Sequence, residues 1–385
     1  MARLAVLSTL VACGGHSDAP HVALRHPIPD SLLSASTGVA AREVEDTTSS
    51  PFATLLAERS TDVRYGLATG DDREVLGEVL DGVILPDGRA ALLDGSHGFV
   101  RLYDGGVVEA PIGGLGEGPG FFTEPTTLFV RADSLVVLDL ARAVHVLASP
   151  RESASAWVRT TRLAFEAEDA CFVGETMIAL APPALYEEGA APRFLPDAGV
   201  LHRLDADGQR LESFHVPYRT SSRVIAQSFA SGKLLCDAAD ESITVALSNL
   251  GEVHRVAASG EVRWITRLPG YSAIPLEERS SGTVGPAREF RAPVDRIRNI
   301  ARVTDSLLVV SITSTAMFEP GRPRTHRLAV LRRRDGAFLG HVADERIAAV
   351  LYGSATEALV YRDLPHPEVT RVRFDTTTAL EPQIR

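Results

Sequence analysis

GEGPGFFTEPTTLFVRADSLVVLD, Gly116 to Asp139, decides how the whole chain reads. It opens on Gly116, Gly118 and Gly120. A glycine-rich turn cradles phosphate when a strand leads in and a helix N-terminus follows, because free amides and the helix dipole then face the anion. Here Pro125 follows the turn, then a Thr/Leu/Phe/Val run, a tight turn at Ala132-Asp133, and a second β-rich run, Leu135–Leu138. Strand, turn and strand leave no helix to receive a phosphate. The glycines therefore read as a sharp crossover between two small sheets, where they supply backbone freedom. In this reading Pro119 stiffens the loop, and Phe121 and Phe122 plug the gap between the sheets.

The turn-plus-strand recurs along the chain. Its copies are PDGRAALLD (Pro86–Asp94), ADSLVVLD (Ala132–Asp139), GETMIALA (Gly174–Ala181), ASGKLLCDA (Ala230–Ala238), TDSLLVVS (Thr304–Ser311) and GSATEALVY (Gly353–Tyr361). A hairpin follows each copy, with tips at Asp104-Gly105, Asp207-Gly208, Ser259-Gly260 and Asp335-Gly336, and looser tips near residues 150 and 375. Glycine accepts the positive φ such tips need. One more apolar stretch precedes each copy: VLDGVIL, PTTLFV, DACFVG, RVIAQSF, RIRNIARV and RIAAVLY. Four antiparallel strands repeated roughly every 40–60 residues are propeller blades. The expected fold is all-β: a six-bladed β-propeller of four-stranded blades over residues 61–385. DVRYGLA (Asp62–Ala68) is the strand that would complete the last blade and shield its edge.

The Gly116–Asp139 stretch resembles the blade signature of bacterial six-bladed, NHL-like β-propeller proteins, many of them lipoproteins: a Gly-Pro-Gly loop, a Phe, a Pro and an Asp-x-Leu-x-Val-x-Asp strand. SGTVGPAREF (Ser281–Phe290) is a degenerate second copy. The resemblance implies the fold, lipid anchoring and an accessory role in a larger membrane complex, such as an assembly machine, a respiratory complex or a photosynthetic reaction centre.

The N-terminus agrees. Arg3, the apolar run Leu4–Val11 and the small residues after it have the outline of a secretory signal over residues 1–12. The run is far shorter than the roughly 20 apolar residues that span a bilayer. Leu10-Val11-Ala12-Cys13 resembles the lipobox of bacterial lipoproteins, which implies cleavage before Cys13 and a covalent lipid on it. Residues 13–60 read as a tether, with one short helix begun by Ser50 as cap and Pro51 in the first turn. Two cysteines remain, Cys171 and Cys236. They are either a disulfide, if the compartment is oxidising, or two separate buried thiols.

A net charge of −11 argues against nucleic acid and against electrostatic docking on anionic lipid. Aromatic residues at 6% are too sparse for a base-stacking platform. His145, His202 and His254 recur on third strands, but equivalent positions in different blades stand too far apart for one metal ion. The inner strands carry Asp81, Glu168, Asp169, Arg223, Gln227, Arg298 and Arg346. Either these form a salt-bridged channel lining, or Arg223, Arg298 and Arg346 clamp an anionic ligand on the axis. There is no nucleophile elbow, HExxH or Cys-x-x-Cys, and no cofactor is expected beyond the lipid. The leading functional reading is a lipid-anchored binding or scaffold module. Its expected partner contacts are the loop 181–199, with Leu185-Tyr186 and Phe194, and the insert 271–292, begun by Tyr271. The alternative is a lactonase-like hydrolase with an axial metal or anionic ligand.

Overall fold

The computed structural model describes residues 28, 34–35, 39–42, 50–57 and most of 60–374. Within that last span the longer stretches 148–156, 186–192, 279–283, 287–292 and 317–323 lie outside the described residues, as do Cys13 and Tyr186.

The described chain forms six antiparallel sheets in a ring, a six-bladed β-propeller. The inner strands are Val79–Ile84, Pro125–Arg131, Asp169–Val173, Gly232–Asp237, Val294–Val303 and Ile347–Gly353, in blades 1 to 6. Each inner strand packs against the next, and that of blade 6 returns to that of blade 1, so the wheel closes. Ser60–Tyr65 pairs with Glu368–Arg373 and supplies the outermost strand of blade 6. The two ends of the wheel are thereby hydrogen-bonded together, and the edge of Glu368–Arg373 is covered.

Why the second strands read as unbroken apolar runs is now plain. Ala90–Asp94 is buried at every position, and so is Leu135–Asp139 within the second strand of blade 2. Both faces of these strands are covered by neighbouring blades, so no alternation is required. The outer strand Arg210–Phe214 is mostly half-buried or exposed. The aspartate that ends the second strand has its own task. Asp139 accepts the Thr123 and Glu124 amides at 2.7 and 3.0 Å, and Asp94 accepts the Gly77 amide at 3.0 Å. In both blades the carboxylate pins the segment that enters the inner strand.

The quoted glycine turn is the crossover from blade 1 to blade 2. Gly116, Gly118 and Gly120 have φ of 158°, 126° and 84°. The loop folds back on itself through Phe122 N to Gly114 O at 2.8 Å and Gly116 N to Phe122 O at 2.9 Å. Phe122 is fully buried and plugs the blade junction, whereas Phe121 is 47% exposed, which corrects the expectation that both would do so.

Blade 4 departs from the sequence reading. RVIAQS is a helix, Arg223–Ser228, begun by Ser222, whose hydroxyl accepts the Ile225 amide. The inner strand is Gly232–Asp237, and Ser242–Leu247 is the second. A short apolar run does not reveal its own period. Ile225, Ala226 and Phe229 are buried at helical spacing on the flank of blades 3 and 4.

The described residues of the segment read as a tether lie against the wheel. Ile28 is buried among core residues of blades 3 and 4. Ser34–Ala35 pairs with Tyr218–Arg219, and Arg42 pairs with the outer strand of blade 4. The helix Pro51–Ala57 buries Phe52, Leu55 and Leu56 in the core between blades 5 and 6.

Candidate functional site

The strand direction divides the wheel into two faces. All inner strands run the same way, so the turns between strands 1 and 2 and between 3 and 4 collect on one face. The crossovers and the turns between strands 2 and 3 collect on the other. A cavity of about 460 Å³ lies on the axis, lined by the inner strands of all six blades. Its lining runs from Asp81, Thr127, Asp169, Lys233 and Asn299 near one end to Ala238, Arg302 and Gly353 at the strand 1–2 turns.

The inner end is built from one repeated device. Asp81 accepts the Leu128 amide of the next blade at 2.8 Å. The Thr127 hydroxyl donates to Asp169 at 2.6 Å, and Asp169 in turn accepts the Leu234 amide at 2.7 Å. The Asn299 side-chain amide donates to the Val350 and Leu351 carbonyls at 3.1 and 3.0 Å. Neighbouring inner strands belong to different sheets, so no ladder joins them. These side chains supply the missing bonds, each contributing about 1 kcal/mol net. Cys171 and Cys236 add a covalent link: they form a disulfide between the inner strands of blades 3 and 4, with Cα atoms 5.6 Å apart.

Burial pushes the Asp81 carboxyl up to about 7, with nearby Lys233 opposing the shift. Asp169 spends its oxygens on Thr127, Ala170 and Leu234. Neither carboxylate is arranged as a metal ligand, and among the described residues no group of three or more His, Cys, Asp or Glu side chains is placed to hold an ion.

The three arginines named from the sequence do not converge, and none lines the cavity. Arg223 is exposed on the helix before blade 4, together with half-buried Gln227, because that segment is not a strand. Arg346 is exposed in the turn before blade 6 and pairs with Asp344 at 3.0 Å. Arg298 is half-buried at the joint where the wheel closes: it donates to the Val79 carbonyl at 2.8 Å and lies over the Tyr361 ring. Its role there is to bond blade 5 to the start of blade 1. Glu168 is exposed just before the blade 3 inner strand.

The recurring histidines sit in separate blades with local partners. His145 bonds Thr160 on the neighbouring outer strand, and His202 bonds Ser213 in the same relation. His254 lies between His215 and Glu252. Burial holds the His202 imidazole down to about 4. Of the expected contact residues, Phe194 is half-buried in a short hairpin with Ala184–Leu185. Tyr271 is half-buried and donates to the Asp295 carbonyl at 3.0 Å, so it is fixed between blades 4 and 5.

Sequence reading missed Lys233, Arg302 and the aromatic wall of Phe129, Phe172 and Tyr352. One signal was available. The 39 Lys and Arg side chains include a single lysine, and it is Lys233.

No family model and no curated protein matches the sequence. The likeness lies in the fold. The chain is similar to two solved Bacteroides structures. One is a Bacteroides fragilis protein whose name marks it as exported: TM-score 0.56, 12% identity, covering 87% of this chain and 99% of that one. The other is a member of the DUF4221 family from Bacteroides vulgatus: TM-score 0.50, 10% identity, covering 82% and 97%. At such identities the likeness shows architecture alone.

Proposed function

We propose that this protein is a lipid-anchored, NHL-like β-propeller of the bacterial envelope that acts as a binding and scaffold module, an accessory subunit of a membrane protein complex. The observation that carries the binding role is the uneven distribution of apolar side chains between the two faces. Among the described residues the exposed large hydrophobics are Leu67, Leu115, Phe121, Leu364, Val224, Val107 and Leu211. The first five lie in crossovers or strand 2–3 turns, hence on one face. The same face carries the hairpin insertions at 184–194 and 276–286. Exposed apolar residues gathered with long loops on a rigid scaffold are what a protein partner uses.

Three features support the envelope location: the Leu10–Cys13 tetrad, the Cys171–Cys236 bridge, which suits an oxidising compartment, and the fold likeness to a protein named as exported. No helix among the described residues is long and apolar enough to cross a membrane, so the proposed attachment is the lipid on Cys13.

Membrane fractionation tests the anchor: Cys13→Ser moves the protein to the soluble fraction, and retention of that variant without a bound partner refutes it. Mild-detergent purification tests the role. A membrane complex co-purifies in fixed ratio with the wild type and with Val107→Glu, but is lost with Leu115→Glu/Phe121→Glu. Equal recovery with all three refutes this face as the contact surface.

A further inference from the structure

We propose that the axial cavity binds a small organic carboxylate with an apolar body, anchored by the Lys233 ammonium at the inner end and received by Arg302 at the mouth. The site is separate from the scaffold face, because the cavity reaches the opposite side of the wheel, where the strand 1–2 turns lie.

The first argument is what Lys233 does not do. Asp81, Thr127, Asp169 and Asn299 are all spent on blade-to-blade bonds, and Thr127 directly precedes Leu128, whose amide is held by the aspartate of the preceding blade. Lys233 occupies the matching place in blade 4, directly before Leu234. Its ammonium makes no hydrogen bond and no ion pair to any described residue, acts on Asp81 and Glu168 only through space, and lines the cavity half-buried. A half-buried ammonium with no direct acceptor keeps its donors free for a ligand.

The second argument is composition. A chain with 39 basic side chains uses arginine at every basic position but this one. The ammonium is a compact point charge on a flexible stem, so it can turn three donors toward a ligand in a narrow space where a planar guanidinium is constrained.

The third is the surroundings. Phe129 and Phe172 stand 5.4 Å apart between ring centroids and form an apolar wall with Tyr352 nearby. Their position suits the hydrocarbon part of a ligand, and 460 Å³ is within the range of small-molecule sites. At the mouth, Asp237 pairs with Arg333, with Arg302 at 3.6 Å and with Arg255 at 3.8 Å. Asp240 pairs with Arg255, Arg263 and Arg333. Four arginines share these two carboxylates on one side of the mouth, and of the four Arg302 alone lines the cavity, where it offers a cationic group to an entering anion. The carboxylates near Lys233 oppose an anion less than free ones would: burial raises the Asp81 and Glu168 carboxyls, and Asp169 is compensated by its three donors.

The single lysine makes the test specific. Reductive dimethylation of the folded Cys13→Ser protein, read by mass spectrometry, modifies Lys233 and the N-terminal amine alone. Benzoate, phenylacetate and octanoate serve as probes, with the matching primary amides as neutral controls. The carboxylates are expected to slow modification of Lys233 but not of the N-terminus, and the amides are not. Calorimetric titration with the best probe is expected to weaken about ten- to a hundredfold in Lys233→Met. Arg302→Gln, at the exposed mouth, should weaken it several-fold by a slower association rate. The thermal midpoint of each variant checks its fold. If no carboxylate protects Lys233, or if amides protect it equally, or if folded Lys233→Met binds as well as wild type, the proposal falls.

Discussion

The Cys171–Cys236 bridge offers the sharpest test of how the wheel is held. It closes a loop with a sequence separation of 65 residues between neighbouring inner strands. In the chain-entropy account, closing a loop of that length removes about 4 kcal/mol of disorder from the unfolded chain. The folded state needs little rearrangement without it, because Asp169 already holds the Leu234 amide across the same junction at 2.7 Å. Cys171→Ala/Cys236→Ala should therefore fold and lose close to the entropic amount. For roughly 300 ordered residues the unfolding entropy near the midpoint is about 0.6 kcal/mol/K, so the expected drop is about 6 °C. Scanning calorimetry measures it, with the fluorescence of Trp157 and Trp264 in guanidinium as the second probe. Wild type with reductant should melt near the double variant, and reductant should leave the variant unchanged. A double variant that melts within about 1 °C of wild type would refute the reasoning. It would mean that the bridge restrains no part of the chain that the unfolded state would otherwise release.

Two further outcomes are expected. His202 is buried neutral, with its folded pKa near 4 against an ordinary 6.5, so its contribution is intact above pH 6.5 and is lost as pH falls toward 4, by about 3 kcal/mol. Asp81 has the opposite sign: its carboxyl is raised to about 7, so stability is lost as pH rises from about 4 through 7. The two slopes oppose each other in wild type, and His202→Gln should expose the Asp81 slope, with denaturation midpoints at pH 5 and 7 differing more than in wild type; an unchanged difference would show that His202 carries no pH-dependent load. Gly232→Ala should destabilise the protein by at least about 2 kcal/mol, because its Cβ would sit 2.1 Å from the Ala246 carbonyl oxygen in the adjacent strand. Thermal denaturation with no loss would show that blade 4 can open there.

The amino-acid sequence alone determined the blade count, the all-β class and the closing strand. These depend on periodicity, on Gly-containing hairpin tips and on apolar runs, which are local properties of the chain. It also held the identity of the crossover around Phe122, since a turn followed by a strand excludes a phosphate loop without any knowledge of distant contacts. What it could not supply was convergence. Arg223, Arg298 and Arg346 each looked axial, yet one is on a helix, one bonds the wheel's joint and one is exposed beside Asp344. RVIAQSF has too few residues to reveal its own period, and only packing against blades 3 and 4 made it helical. The pairing of Cys171 with Cys236 and the meeting of Lys233 with the axial cavity join residues from different blades. Only closure of the ring brings those residues together, because side chains on separate sheets become neighbours through the packing of whole blades and not through any spacing along the chain.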